Sequence, residues 1–156
     1  FPQLLLALAF VAALGPSMVT IILVLGLTGW ERYTRVVRAE VLALREKDFV
    51  EAARAMGVTS TRIVMRHVLP NTFSSIIVMS TLQVAQAILQ EAALSFLGVG
   101  SGRAYPPWGQ MIALGRDFVS VAWWLPTFPG LAILMTVLAI NLVGDRLRDA
   151  LDPRVT

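Results

Sequence analysis

The chain has 156 residues, of which 56% are hydrophobic and 15% charged, with a formal net charge of +3. Mean hydropathy is +0.71. These values exclude an ordinary water-soluble domain and fit a membrane protein, and the absence of cysteine excludes disulfides and thiolate metal sites.

Four apolar stretches follow one another. The first is LLLALAFVAAL, Leu4 to Leu14, and the second is MVTIILVLGLTGW, Met18 to Trp30, with Gly15-Pro16 as the turn between them. The third runs from Phe73 to about Leu97, and the fourth is LPTFPGLAILMTVLAINLVG, Leu125 to Gly144. A spanning helix needs about 20 residues. The third and fourth reach that length. The second lengthens past Trp30 in helix-compatible sequence, whereas the first meets the chain start at Phe1. The expected fold is an all-α, polytopic helical membrane bundle with spans at about 1–14, 17–38, 72–97 and 125–144. Phe1 falls inside an apolar stretch with no start methionine, signal peptide or charged amino-terminal region, so the sequence reads as a fragment.

Lysine and arginine give the orientation. Arg32, Arg35, Arg38, Arg45, Lys47, Arg54, Arg62 and Arg66 lie between the second and third stretches, and Arg146, Arg148 and Arg154 follow the fourth. Only Arg103 and Arg116 fall in the loop between the third and fourth. The positive-inside rule therefore predicts a cytoplasmic Glu31–Asn71 and C-terminus, with 98–124 outside. Trp30, Trp108, Trp123 and Trp124 lie near the predicted interfaces, as amphipathic rings prefer. The basic excess thus reports topology rather than nucleic acid, which would call for more aromatic residues than Tyr33 and Phe49 among the arginines.

The cytoplasmic stretch is helical in pattern. Tyr33, Val36, Val37, Val41 and Leu44 form an apolar stripe, and the second spanning helix is expected to continue along it. A loop at about 45–70 follows, containing EAARAMGVTSTRIVMRHVLPN, Glu51 to Asn71. Phe49, Ala52, Ala53 and Met56 recur at i, i+3, i+4 and i+7 and predict one small apolar face. Gly57 is placed to end that short helix in a left-handed cap. Thr59, Ser60 and Thr61 are candidates to cap the next, and Pro70 to close the excursion. A helix, a glycine turn and a second helix with a face of small side chains suit docking into a groove of another protein. The plain alternative is an amphipathic loop on the membrane surface.

The residues resemble the EAA loop of ABC-importer permeases. Glu51, Ala52, Ala53, Gly57, Leu69 and Pro70 match its pattern at its spacing, with His67 in the usual aliphatic slot, as in the peptide and nickel branch. EAALSFLGVG (Glu91 to Gly100), PPWGQM (Pro106 to Met111) and NLVGDRLRDALDPR (Asn141 to Arg154) extend the resemblance to the C-type permease subunit of dipeptide, oligopeptide and nickel importers. The resemblance implies that this is its carboxy-terminal half and that the loop couples transport to a cytoplasmic ATPase subunit. It also implies a second permease subunit, an extracytoplasmic substrate-binding protein and a bacterial or archaeal cytoplasmic membrane. No cofactor is implied. Peptides, nickel chelates and glutathione are all carried in this branch.

In the third stretch Gln83, Gln86 and Gln90 recur on one side, with Glu91 about 100° round from Gln90. Such groups at membrane depth face protein or water. They are candidates for the translocation path or for hydrogen bonds between helices, and Glu91 for a structural carboxylate near the outer interface. Gly98, Gly100 and Gly102 offer a flexible exit, and Trp108 to Phe118 a short outer helix that meets the binding protein, closes the outer gate or is a passive hairpin. Asp145, Arg146, Arg148, Asp149 and Asp152 read as a solvated helix end stopped at Pro153. His67 is the sole histidine and lies in no HExxH, and Gly144-Asp145 lacks the first glycine of a G-x-G-D signature, so an intramembrane enzyme finds no support. There is no Walker A sequence, so ATP hydrolysis belongs to a partner. A passive channel or membrane scaffold accounts for the glutamines but not for the EAA pattern.

Overall fold

The computed structural model describes residues 2–100 and 106–151. Gly102, Arg103, Asp152, Pro153 and Arg154, given roles above, lie outside the described residues.

The described chain is helical. Helix α1 spans Gln3–Leu14, α2 Met18–Leu44, α3 Asp48–Ala55 and α4 Ser60–Ile63. A π-helical turn at Val64–Val68 leads into α5, Leu69–Phe96. Helix α6, Trp108–Gly115, ends in a 3-10 turn at Arg116–Phe118, and α7 covers Trp124–Leu151. Two helical runs are long and apolar enough to cross a membrane, Ser60–Phe96 and Trp124–Ala150. Helix α1 is apolar but has 12 residues. Helix α2 has 27, yet its second half carries Glu31, Arg32, Arg35 and Arg38. Large apolar side chains such as Leu5, Phe10, Leu14, Ile22, Leu23 and Leu27 are exposed along α1 and α2, a surface that water would penalise.

Two helices run beyond the expected spans. Pro70 does not break the helix at the start of the third segment. Helical structure runs through it without interruption from Ser60 to Phe96. A proline ring inside a regular α-helix clashes with the carbonyl four residues earlier. Here the widened π turn ends two residues before it, with the Leu69 N–H donating to the Val64 carbonyl, five residues back. Helix α7 runs past Gly144 through Asp145, Arg146, Arg148 and Asp149, the helix end read from the sequence. Charged side chains on a solvated helix end do not terminate it.

The chain divides into two compact units. One comprises Phe1–Trp30 with Leu82–Leu142, the other Glu31–Thr81 with Val143–Thr156. In the first, Ala7, Val24 and Leu94 form a core, with Leu8 and Leu25 packed against it. Helix α5 ends there in a glycine cap. Gly98 has φ +82°, its N–H donates to the Ser95 carbonyl, and the Val99 N–H donates to the Leu94 carbonyl. Helix α6 lies against this end of α5 so closely that a Cβ on Gly109 would stand 2.0 Å from the Ala92 carbonyl oxygen. In the second unit, Val50, Ala53, Ile63 and Val68 form the core, with Val41, Leu44 and Val58 packed against it. There Ser75 donates to the Glu40 carboxylate, and Gly144 lies against Thr81.

Candidate functional site

The cytoplasmic-type loop belongs wholly to the second unit. Helix α2 stops at Leu44, and α3 begins at Asp48 with Asp48 and Glu51 in its first turn, where carboxylates meet the positive end of the helix dipole. It ends in a Schellman cap. Gly57 has φ +78°, its N–H donates to the Arg54 carbonyl at 2.9 Å, and the Val58 N–H donates to the Ala53 carbonyl at 3.1 Å. The accompanying apolar contact is present, since Val58 packs on the cluster containing Ala53. Thr59 then serves as N-cap of α4, though no side chain hydrogen-bonds there.

This geometry divides the apolar face read from the sequence. Ala53 is 2% exposed and Val50 1%, and both point inward against Ile63 and Val68. Phe49, Ala52 and Met56 remain exposed on the other side of α3, Met56 at 75%. The reason is angular. Residues 49, 52 and 56 fall within about 60° of one another on a helix, while residues 50 and 53 lie on the flank that α4 and the π turn cover. Ala53 is therefore core and not docking face. Glu51 is exposed beside Ala52. Leu69 is half-buried and Pro70 exposed at the start of α5.

Nothing lies within 4 Å of a Cβ built on Gly57, so replacement there acts through the backbone alone. We expect Gly57→Ala to destabilise the α3–α4 turn by about 1–2 kcal/mol and Gly57→Val by more. Limited proteolysis between α3 and α4 measures the difference.

The glutamines belong to the first unit and do not act as one stripe. Gln90 Nε2 donates to Gln3 Oε1 at 3.0 Å, Gln3 Nε2 donates to Thr28 Oγ1 at 3.3 Å, and Thr28 Oγ1 donates to the Val24 carbonyl at 2.7 Å. The chain of bonds ties α5 to α1 and α2. Gln83 lies against Gly29, where a Cβ would stand 2.8 Å from its Nε2. Gln86 is exposed. Gln83 and Gln90 are seven residues apart, within about 20° on the helix, and Gln86 is some 40–60° away. Glu91 accepts a hydrogen bond from Ser95 Oγ at 2.6 Å on its own helix, and Ser95 is buried. Among the described residues no cluster of His, Cys, Asp or Glu suits a metal ion.

These helices, with apolar flanks, internal polar ties and two membrane-length runs, define a polytopic helical membrane protein. The family described as "Binding-protein-dependent transport system inner membrane component" matches residues 1–156, and the chain belongs to it. A Brucella suis protein named as a peptide transport system permease is 49% identical over 155 residues, covering 99% of this chain and 52% of its own length. A di/tripeptide transport system permease protein of Pseudomonas aeruginosa is 46% identical over 154 residues, 99% of this chain and 51% of its own. A glutathione transport system permease protein of Escherichia coli is 43% identical over 155 residues, 99% and 51% respectively. The chain thus spans about half the length of the curated relatives it matches.

Proposed function

We propose that the chain forms part of the membrane-spanning permease subunit of an ATP-binding-cassette importer for peptides. The observation that carries this reading is the glycine-capped α3–α4 turn built on the EAA pattern. Its core is already satisfied by Val50, Ala53, Ile63 and Val68, and its outer face offers Phe49, Ala52 and Met56 with Glu51 beside them. A small internal core makes the outer face rigid, and a rigid apolar face is what a partner's groove requires. The partner is a cytoplasmic ATPase subunit. Closure of the ATPase pair moves α3, and the motion enters α5 through α4 and the π turn. A second permease subunit completes the path, and an extracytoplasmic binding protein delivers the solute. The four apolar segments cross the bilayer, with 31–71 and the C-terminus cytoplasmic.

Peptides are favoured as solute by the names of the relatives. The glutathione permease among them makes that tripeptide the second reading, and nickel chelates come third. Reconstitution of the full-length permease with its ATPase and binding protein tests the function. Uptake of a labelled dipeptide that requires both ATP and the binding protein is expected. Flux without ATP would make the protein a passive channel instead.

Two predictions accompany this reading. For topology, cysteine placed at Ser120 is expected to react with an impermeant maleimide in intact cells, and cysteine at Ser60 is not. Both side chains are exposed, so reactivity reports sidedness. The reverse pattern would invert the orientation. For the path, Gln86 is the glutamine of the three that remains open to solute. Gln86→Leu is expected to lower uptake severalfold with the complex assembled. Gln90→Leu removes a bond between helices worth roughly 0.6 kcal/mol on average and is expected to lower thermal stability with little change in uptake per assembled complex.

A further inference from the structure

The π turn at Val64–Val68 lies on the route from α3 to α5. A π turn holds one residue more than an α turn, is rare, and is frequent at functional sites. This one joins the docking helices to a 28-residue helix, α5. Its residues divide into two sets. Val68 is 4% exposed in the core with Val50 and Ala53 of α3. His67 holds its ring 6.2 Å from that of Phe49, also on α3, at 46°. Val64 and Met65 are 47% and 62% exposed, and Arg66 is exposed. So α3 grips the end of the turn next to α5, and the side chains at its start are open to solvent.

The hydrogen bonding is poised in the same place. Leu69 bonds to Val64 in π register. The next residue, Pro70, has no N–H, so no backbone bond at that position favours α over π register. The Asn71 side-chain amide donates to the His67 carbonyl, and Thr72 Oγ1 donates to the Leu69 carbonyl at 2.9 Å.

Resting on the coupling reading above, we propose that this turn is a register switch. Displacement of α3 by the ATPase pulls on His67 and Val68, and the surplus residue is drawn out of the turn or returned to it. Exchange of one residue turns α5 relative to α4 by about 100° and advances it by about 1.5 Å. His67 is the positioning residue that links Phe49 to the turn.

The test is deletion of Met65 in the full-length permease, which removes the surplus residue and leaves the α3 grip intact. The permease is expected at normal level in the membrane, still co-purifying its ATPase. Uptake should fall at least tenfold, and ATP hydrolysis should no longer respond to binding protein and peptide. Uptake above half of wild type would overturn the switch. So would loss of ATPase co-purification, because the turn would then be docking scaffold. If the deletion fails to reach the membrane, His67 decides. His67→Ala is expected to cut coupled uptake severalfold, and His67→Phe, which keeps a ring against Phe49, to restore it. Equal uptake in both variants counts against the proposal. Failure of the wild-type permease to co-purify the ATPase would instead refute the coupling reading itself.

Discussion

Two tryptophan substitutions one residue apart, Ala52→Trp and Ala53→Trp, are expected to fail in different ways. Ala52 is exposed on the outer side of α3 between Phe49 and Met56. An indole there meets no atom of the hairpin core. The α3–α4 turn keeps its glycine cap and its apolar contacts, and the variant should resist proteolysis like wild type. On the proposed docking of this face into an ATPase groove, the ring has no room, so ATPase co-purification and uptake should both be lost. Ala53 is 2% exposed against Val50, Ile63 and Val68. Extra volume forced into a packed core costs typically about 1–3 kcal/mol, and a ring replacing a methyl stands at the upper end. The core around it has three other buried residues, too few to absorb the volume by repacking. Ala53→Trp should therefore open the hairpin, with rapid cleavage between α3 and α4 and secondary loss of the ATPase. Proteolysis alongside pull-down separates the two phenotypes. Identical protease resistance in both variants would contradict the buried position of Ala53.

Gly109→Val is the second substitution expected to have a large effect. The added Cβ would stand 2.0 Å from the Ala92 carbonyl oxygen, 2.7 Å from its carbon and 2.8 Å from its Cα. All three are backbone atoms of α5 and cannot rotate away. Helix α6 must therefore lift from α5. Gly115 at the other end of α6 is also closely packed, with the Pro126 nitrogen 2.8 Å from its would-be Cβ, so lifting one end disturbs the other. We expect loss of most uptake and new reactivity of a cysteine placed at the half-buried Ala113. Gly26→Ala is the control. Nothing lies within 4 Å of its Cβ and its φ is not positive, so unit stability should change little. Wild-type uptake in Gly109→Val would mean that α6 is free to move without consequence.

Helix identity and the membrane class were legible in the sequence, because apolar run length and basic clustering are one-dimensional properties. The left-handed conformation of Gly57 was legible as well. A glycine one position past an amphipathic turn and followed by a capping residue has few alternatives, and the observed φ of +78° is the predicted conformation. Which side of α3 faces inward was not legible. Phe49, Ala52, Ala53 and Met56 satisfy helical spacing equally, and only the approach of Ile63 and Val68 from α4 and the π turn divides them.

The same limit applies to Gln83, Gln86 and Gln90. Periodicity placed them on one arc but did not supply Gln3 or Gly29 as neighbours, since those lie far away in the chain. Pro70 shows the converse. Local chemistry reads proline as a stop, because an α turn has no room for its ring. The tertiary packing of Val68 against α3 supports a wider turn just before it, and the helix continues. Composition and spacing thus determined that this is a helical membrane protein with a glycine-capped loop. The contacts between helices, which depend on residues distant in sequence, decided which side chains are core, which are tied together and which remain open to a partner.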